Sequence, residues 1–126
     1  MTRPSLCSTA LVFMGGCAGT GLRVGVGVVA GSLLGTFLVN IIGSFALGAI
    51  TAMVLARSSA HIEQIRLLFG VGFCGAFTTY SALVAPAVVM ISTGSVFLAG
   101  VDLLGSIIAG LLAGLLGFRA GECAWG

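Results

Sequence analysis

From position 24 to position 56, between Arg23 and Arg57, the chain carries no charged side chain, and the same holds from 67 to 101. Runs of that length decide the solvent. A transmembrane helix needs roughly 20 consecutive apolar residues, and both runs exceed that. Positions 4–22 form a third uncharged run, and a fourth continues past Asp102 to Phe118. Four spans with short turns account for all 126 residues. Charged residues make up only 6% of the chain, against about 25% in soluble domains, and the mean hydropathy is +1.26. So few charges cannot cover a water-exposed surface. A soluble enzyme, a disordered chain and a nucleic-acid binder are excluded. Strands are not expected, because membrane-barrel strands alternate polar and apolar residues over roughly 10 positions. The reading is an all-α integral membrane protein, with one four-helix domain over 1–126 and the lipid bilayer as its solvent.

Run lengths and turn signals predict helices near 7–27, 32–56, 64–91 and 96–118. Gly25, Gly27, Gly31 and Ser32 mark the first turn, and Ser92, Thr93, Gly94 and Ser95 mark the last. Residues 57–66 read as the one clear hydrophilic loop, and Arg119 and Glu122 as a polar tail. Met14-Gly15-Gly16-Cys17 has a faint likeness to a lipoprotein cleavage site, but the first helix is expected to be retained. Four spans put Arg3, Arg57, Arg66 and Arg119 on one side and Arg23 on the other, which predicts cytoplasmic termini. Cys7, Cys17, Cys74 and Cys123 lack metal-ligand spacing and read as small buried hydrophobes. The 21 glycines suit close helix approach in lipid. One such subunit makes a thin bundle, so assembly into something larger is expected.

Two segments carry chemistry. Asn40 lies mid-span in Gly35-Thr36-Phe37-Leu38-Val39-Asn40-Ile41-Ile42-Gly43-Ser44-Phe45. Lipid cannot satisfy its amide, and leaving it unpaired costs on the order of a few kcal/mol. It therefore serves either as interhelical glue or as an ion ligand whose NH₂ group donates to an anion. In Gly72-Phe73-Cys74-Gly75-Ala76-Phe77-Thr78-Thr79-Tyr80-Ser81, four hydroxyl residues interrupt an apolar run. β-Branched threonines near Gly75 disfavour an unbroken helix. The alternative is a continuous helix with its hydroxyls bonded back to its own carbonyls. A break near mid-membrane explains a third run too long for one span, and such breaks supply backbone carbonyls as ion ligands.

GTFLVNIIGSF followed by GFCGAFTTYS, after the glycine-rich GGCAGTGLR at 15–23, resembles the Fluc/CrcB family of fluoride channels, and the likeness covers nearly the whole chain. The resemblance implies a fluoride-specific channel in the cell membrane that passively lowers cytoplasmic fluoride. It implies an antiparallel dimer with two pores along its interface. A structural, untransported sodium ion sits at the dimer centre, held by the backbone carbonyls of Gly75 and Thr78. Asn40, Tyr80, Ser81 and Ser106 are implied as pore residues and Arg23 as the vestibule cation, where a positive charge draws an anion inward.

The chain departs from the family's usual TTFSTF, whose two ring edges face fluoride. Tyr80 keeps the first aromatic, Leu83 replaces the second, and Pro86 stands where an acid often follows. An aromatic edge is electropositive, so Leu83 removes an anion contact. Asp102 stands where a hydroxyl is usual, and a carboxylate there repels fluoride unless it is protonated or paired. The runner-up reading is therefore a non-conducting partner subunit of a heterodimeric channel. The arginine imbalance favours a paralogous partner inserted the other way. A four-span proton-coupled exporter would need an embedded glutamate in helix one, and positions 4–22 hold none. His61 reads as a solvated loop residue. With no Ser-His-Asp set or carboxylate pair, no enzyme chemistry is expected.

Overall fold

The structure, a computed structural model, describes residues 5–126. Among these, four helices are long and apolar enough to cross a membrane, and there are no strands. They are α1 (Leu6–Ala30), α2 (Ser32–Ala56), α3 (Ala60–Ser92) and α4 (Val96–Trp125). The 25 residues of α1 and of α2, at about 1.5 Å rise each, exceed a hydrocarbon layer of roughly 30 Å. Of the orientation set, Arg3 lies outside the described residues.

Local chemistry sets the helix ends. Ser5 caps α1 by accepting from the Ser8 N–H at 3.1 Å, and Ser59 caps α3 by accepting from Ile62 N–H at 3.2 Å. Gly31 alone joins α1 to α2, with φ 83° and ψ 161°, a conformation essentially restricted to glycine. Gly94 turns α3 into α4 with φ 84°.

Several sequence expectations are corrected. Gly25 and Gly27 are helical, so the first turn is a single residue rather than a stretch. The hydrophilic loop shrinks to residues 57–59, because Ser59 starts a helix that already contains His61 and Glu63. Arg119 and Glu122 lie within α4 rather than in a tail. Only Cys74 is buried, while Cys7, Cys17 and Cys123 are exposed on the single chain.

Helix α3 changes winding before it breaks. Residues Arg66–Cys74 form a π-helix, one α-helical turn Gly75–Phe77 follows, and Ser81–Ser92 resumes the α-helix. Pro86 sits inside the second half, where membrane helices tolerate it because neighbours satisfy the freed carbonyl. The first half packs mainly on α1 and also on α2, and the second mainly on α4. The break thus carries α3 from one side of the bundle to the other.

The bundle has little core of its own. Buried hydrophobics are few and mostly small, such as Val39, Ala52, Cys74 and Ala99, and among the described residues no polar or charged side chain is buried. Large apolar groups point outward instead, with Val29 89% and Phe97 81% exposed. Such a surface is stable facing lipid or another subunit, not water.

Candidate functional site

The break in α3 is a stop and restart of the backbone ladder. Thr78 N–H donates to the Cys74 carbonyl at 3.0 Å, and the ladder resumes where Leu83 and Val84 N–H donate to the Tyr80 carbonyl, each at 3.1 Å. Thr78 itself is extended, with φ −77° and ψ 154°. The Ala82 N–H, which would normally reach the Thr78 carbonyl, donates to Thr79 Oγ1 at 3.4 Å. Among the described residues, the carbonyls of 75–78 receive no backbone donor. The sequence reading centred the break on Gly75 and Thr78. Gly75 is helical, with φ −61° and ψ −34°, and the interruption falls at 78–80. The released carbonyls nevertheless include both Gly75 and Thr78.

Thr79 finds its partner on another helix. Its N–H donates to Asn40 Oδ1 at 2.8 Å, and its carbonyl accepts from Asn40 Nδ2 at 3.0 Å. Asn40 is half-buried on α2, and this pairing satisfies the amide that lipid could not.

Asn40 also lines a groove of about 610 Å³ between α2 and α4, shared with Ser44, Thr51 and Ser106. Positions 40, 44 and 51 lie on one face of α2 at helical spacing, and Ser106 faces them from α4. Thr51 Oγ1 donates to the Leu47 carbonyl at 2.7 Å. A smaller hollow of about 170 Å³ brings together Arg23, Ser32, Thr36 and Thr79. Arg23 is half-buried within α1, and its Nε is buried with no hydrogen-bond partner among the described residues. Asp102 shares a third hollow with Thr36, Leu83 and Ser106. It sits in the second turn of α4 and forms no ion pair among the described residues.

The remaining candidates lie apart. Ser81 Oγ is 3.3 Å from Thr79 Oγ1 but exposed, and Tyr80 is 75% exposed. Asn40 and Ser106 thus share one groove, Gly75 and Thr78 share the break, and Tyr80 and Ser81 face outward beside it. Ser44, Thr51 and Thr36 were missed in the sequence. The recurrence of hydroxyls at one-turn and three-turn spacings from Asn40 was the available signal.

Fold and site define a class: a four-span integral membrane protein with a helix broken at membrane depth beside a hydroxyl- and amide-lined groove. The chain belongs to the CrcB family. The family model described as "CrcB-like protein, Camphor Resistance (CrcB)" matches residues 10–118. A relative from Gloeobacter violaceus named "Fluoride-specific ion channel FluC" is 42% identical over 120 residues, covering 89% of this chain and 94% of its own. Relatives of the same name from Rhodopseudomonas palustris and Novosphingobium aromaticivorans are 38% and 35% identical, covering 87% and 89% of this chain and 95% and 94% of theirs.

Proposed function

We propose that this chain is a subunit of a fluoride-specific channel in the cell membrane, which lets fluoride leave the cytoplasm passively. The observation that carries the reading is the groove in which Asn40, Ser44, Thr51 and Ser106 converge between α2 and α4. Fluoride is small and strongly hydrated, so a pore must replace its water with hydrogen-bond donors. Ser44 and Ser106 supply O–H groups, Asn40 keeps one N–H after pairing with Thr79, and Thr51 lines the wall with its own O–H held by the Leu47 carbonyl. The unpartnered Arg23 nitrogen makes a positive entrance that concentrates anions. The names of the relatives support the same solute.

A second subunit completes the site. Gly75, Tyr80 and Ser81 are exposed on the single chain, yet irregular backbone at membrane depth cannot face lipid. We take the covering partner to be a subunit in antiparallel orientation, so that Tyr80 and Ser81 line a path shared by two chains. The tyrosine ring edge there offers a weakly positive contact.

The released carbonyls suit a hard monovalent cation, since unwound backbone in membrane helices coordinates sodium in this way. The Gly75 and Thr78 carbonyls are the residues that would hold it, and the bound ion would supply fixed positive charge at the centre of the dimer. Arg57, Arg66 and Arg119 follow the even-numbered spans or begin the odd, so the positive-inside bias places the termini in the cytoplasm.

The complex purified through a tag on this chain, sealed into liposomes, tests the reading. Rapid fluoride efflux with chloride retained is the expected result, and fluoride retention overturns it. Topology reporters on the C-terminus complete the test. Signal from the cytoplasmic side alone assigns the opposite orientation to a paralogous partner, and equal signal from both sides assigns it to a second copy of this chain.

A further inference from the structure

We infer that Asn40 is the positioning residue of the helix break, holding α3 open so that the Gly75 and Thr78 carbonyls stay free. The inference rests on the channel reading above, and it gives Asn40 a task separate from contacting fluoride.

The geometry is a two-point latch. Thr79 presents one backbone donor and one backbone acceptor, and Asn40 meets both, at 2.8 Å and 3.0 Å. That pattern fixes the amide's orientation, because the flipped amide would set donor against donor and acceptor against acceptor. A second feature of α2 addresses the same segment independently. One turn on, a Cβ at Gly43 would collide with the Thr78 methyl Cγ2 and stand 3.3 Å from Phe77 Cδ1. Residues three apart lie on one helix face. So α2 offers the break a bare backbone at Gly43 and a hydrogen-bonding amide at Asn40, aimed at the consecutive residues 77–79.

The alternative state shows what the latch opposes. Without Asn40, the Thr79 N–H and carbonyl lie at membrane depth with no water to satisfy them. The α-helical acceptor for that N–H is the Gly75 carbonyl, four residues back. Taking it restores the ladder and consumes a carbonyl proposed to bind sodium. Asn40 therefore decides between a closed helix and an open one. It couples groove to break, because one amide side chain lines the first and holds the second.

The test separates this role from that of an ion ligand. Sodium-dependent thermal stabilisation of the purified complex is measured for wild type, Asn40→Ala and Asn40→Asp. Asn40→Asp keeps the shape and, as the carboxylate, an acceptor for the Thr79 N–H but no proton to donate to the Thr79 carbonyl. Removing a residue that orients metal ligands weakens metal binding by about tenfold or more. That shift in the sodium midpoint is expected for both variants. Ser106→Ala, in the same groove but away from the break, should lower flux and leave the sodium midpoint in place. The carbon-13 shift of the Gly75 carbonyl, read by solid-state NMR in lipid, should move to the hydrogen-bonded helical value in the Asn40 variants. Loss of flux with both readouts unchanged would overturn the inference and leave Asn40 an ion ligand only. A wild-type Gly75 carbonyl already at the helical value overturns it without any variant. A wild-type complex that ignores sodium counts against the sodium site itself, and the carbonyl shift then still decides the latch.

Discussion

Two helix seams in this chain use the same packing device and come out differently. Where α1 meets the first half of α3, a Cβ on Gly15 or Gly19 would collide with the carbonyls of Leu68 or Phe73, and one on Gly72 would lie 2.6 Å from the Val12 carbonyl. Where α2 meets α4, a Cβ on Gly48 or Gly117 would strike the carbonyls of Gly114 or Phe45, and one on Gly121 would lie 2.9 Å from that of Ala49. Both seams are glycine set directly against backbone, as lipid-embedded helices favour. Toward its middle the α2–α4 seam opens into the groove, where a Cβ on Gly110 would stand 3.6 Å from Ser44 Oγ. Into that slack project Asn40, Ser44, Thr51 and Ser106. Close packing builds both walls, and polar side chains at helical spacing line one of them, the proposed fluoride path.

The largest effect should come from breaking the shared device. Gly15→Val and Gly117→Val force a branched side chain into a neighbour's backbone, which costs about 1–3 kcal/mol or more. Both should abolish the folded peak in size-exclusion chromatography. Gly16→Val, where a Cβ meets nothing within 4 Å, should keep it, and equal loss at Gly15 and Gly16 would remove the distinction. The next effect separates the seams by function. Ser106→Ala removes a donor from the proposed fluoride path, and a hydrogen bond to a charged partner is worth about 1.5–3 kcal/mol. Fluoride efflux should fall by roughly tenfold or more, while Ser8→Ala on α1 leaves it at the wild-type rate. The smallest effect tests the polar seam's own flaw. Asp102 shares a hollow with Ser106 and has no ion-pair partner among the described residues. Asp102→Thr removes a partly screened repulsion and should raise efflux by about two- to fivefold at neutral pH. An unchanged or lower rate would place its carboxylate away from the path.

The spans were legible because charge spacing is a one-dimensional signal, and lipid punishes every violation of it. The break was legible for a related reason: Thr78-Thr79-Tyr80-Ser81 is too polar for an apolar run. Its position was offset because the sequence points to the weakest helix former, Gly75, whereas the structure interrupts the ladder where α2 supplies a substitute partner at Thr79. That pairing joins residues 39 apart, and no local pattern encodes it. The π-winding of Arg66–Cys74 left no mark in the residue types. The end of α4 was misplaced because Arg119 and Glu122 read as a tail, while a surface helix accepts both one turn apart, their Nε and Oε2 at 3.8 Å. Ser44 and Thr51 required the facing helix before their shared wall with Asn40 had meaning.

The one-residue link at Gly31 bears on how such a chain enters a membrane in the first place. Helices α1 and α2 meet through a single glycine, and α3 and α4 through the equally small, uncharged turn Thr93-Gly94-Ser95. These two turns lie at the same end of the bundle, because successive spans alternate in direction. With the termini in the cytoplasm, as proposed, almost nothing hydrophilic has to be carried through the bilayer to reach that end during synthesis. The chain can partition into lipid as two preformed hairpins, each delivering a tip of one to three small residues. The work of translocation, which for other multi-pass proteins falls on long polar loops, is removed at its source. Under the positive-inside bias, orientation then rests on Arg57, Arg66 and Arg119 at the opposite end against Arg23 near this one.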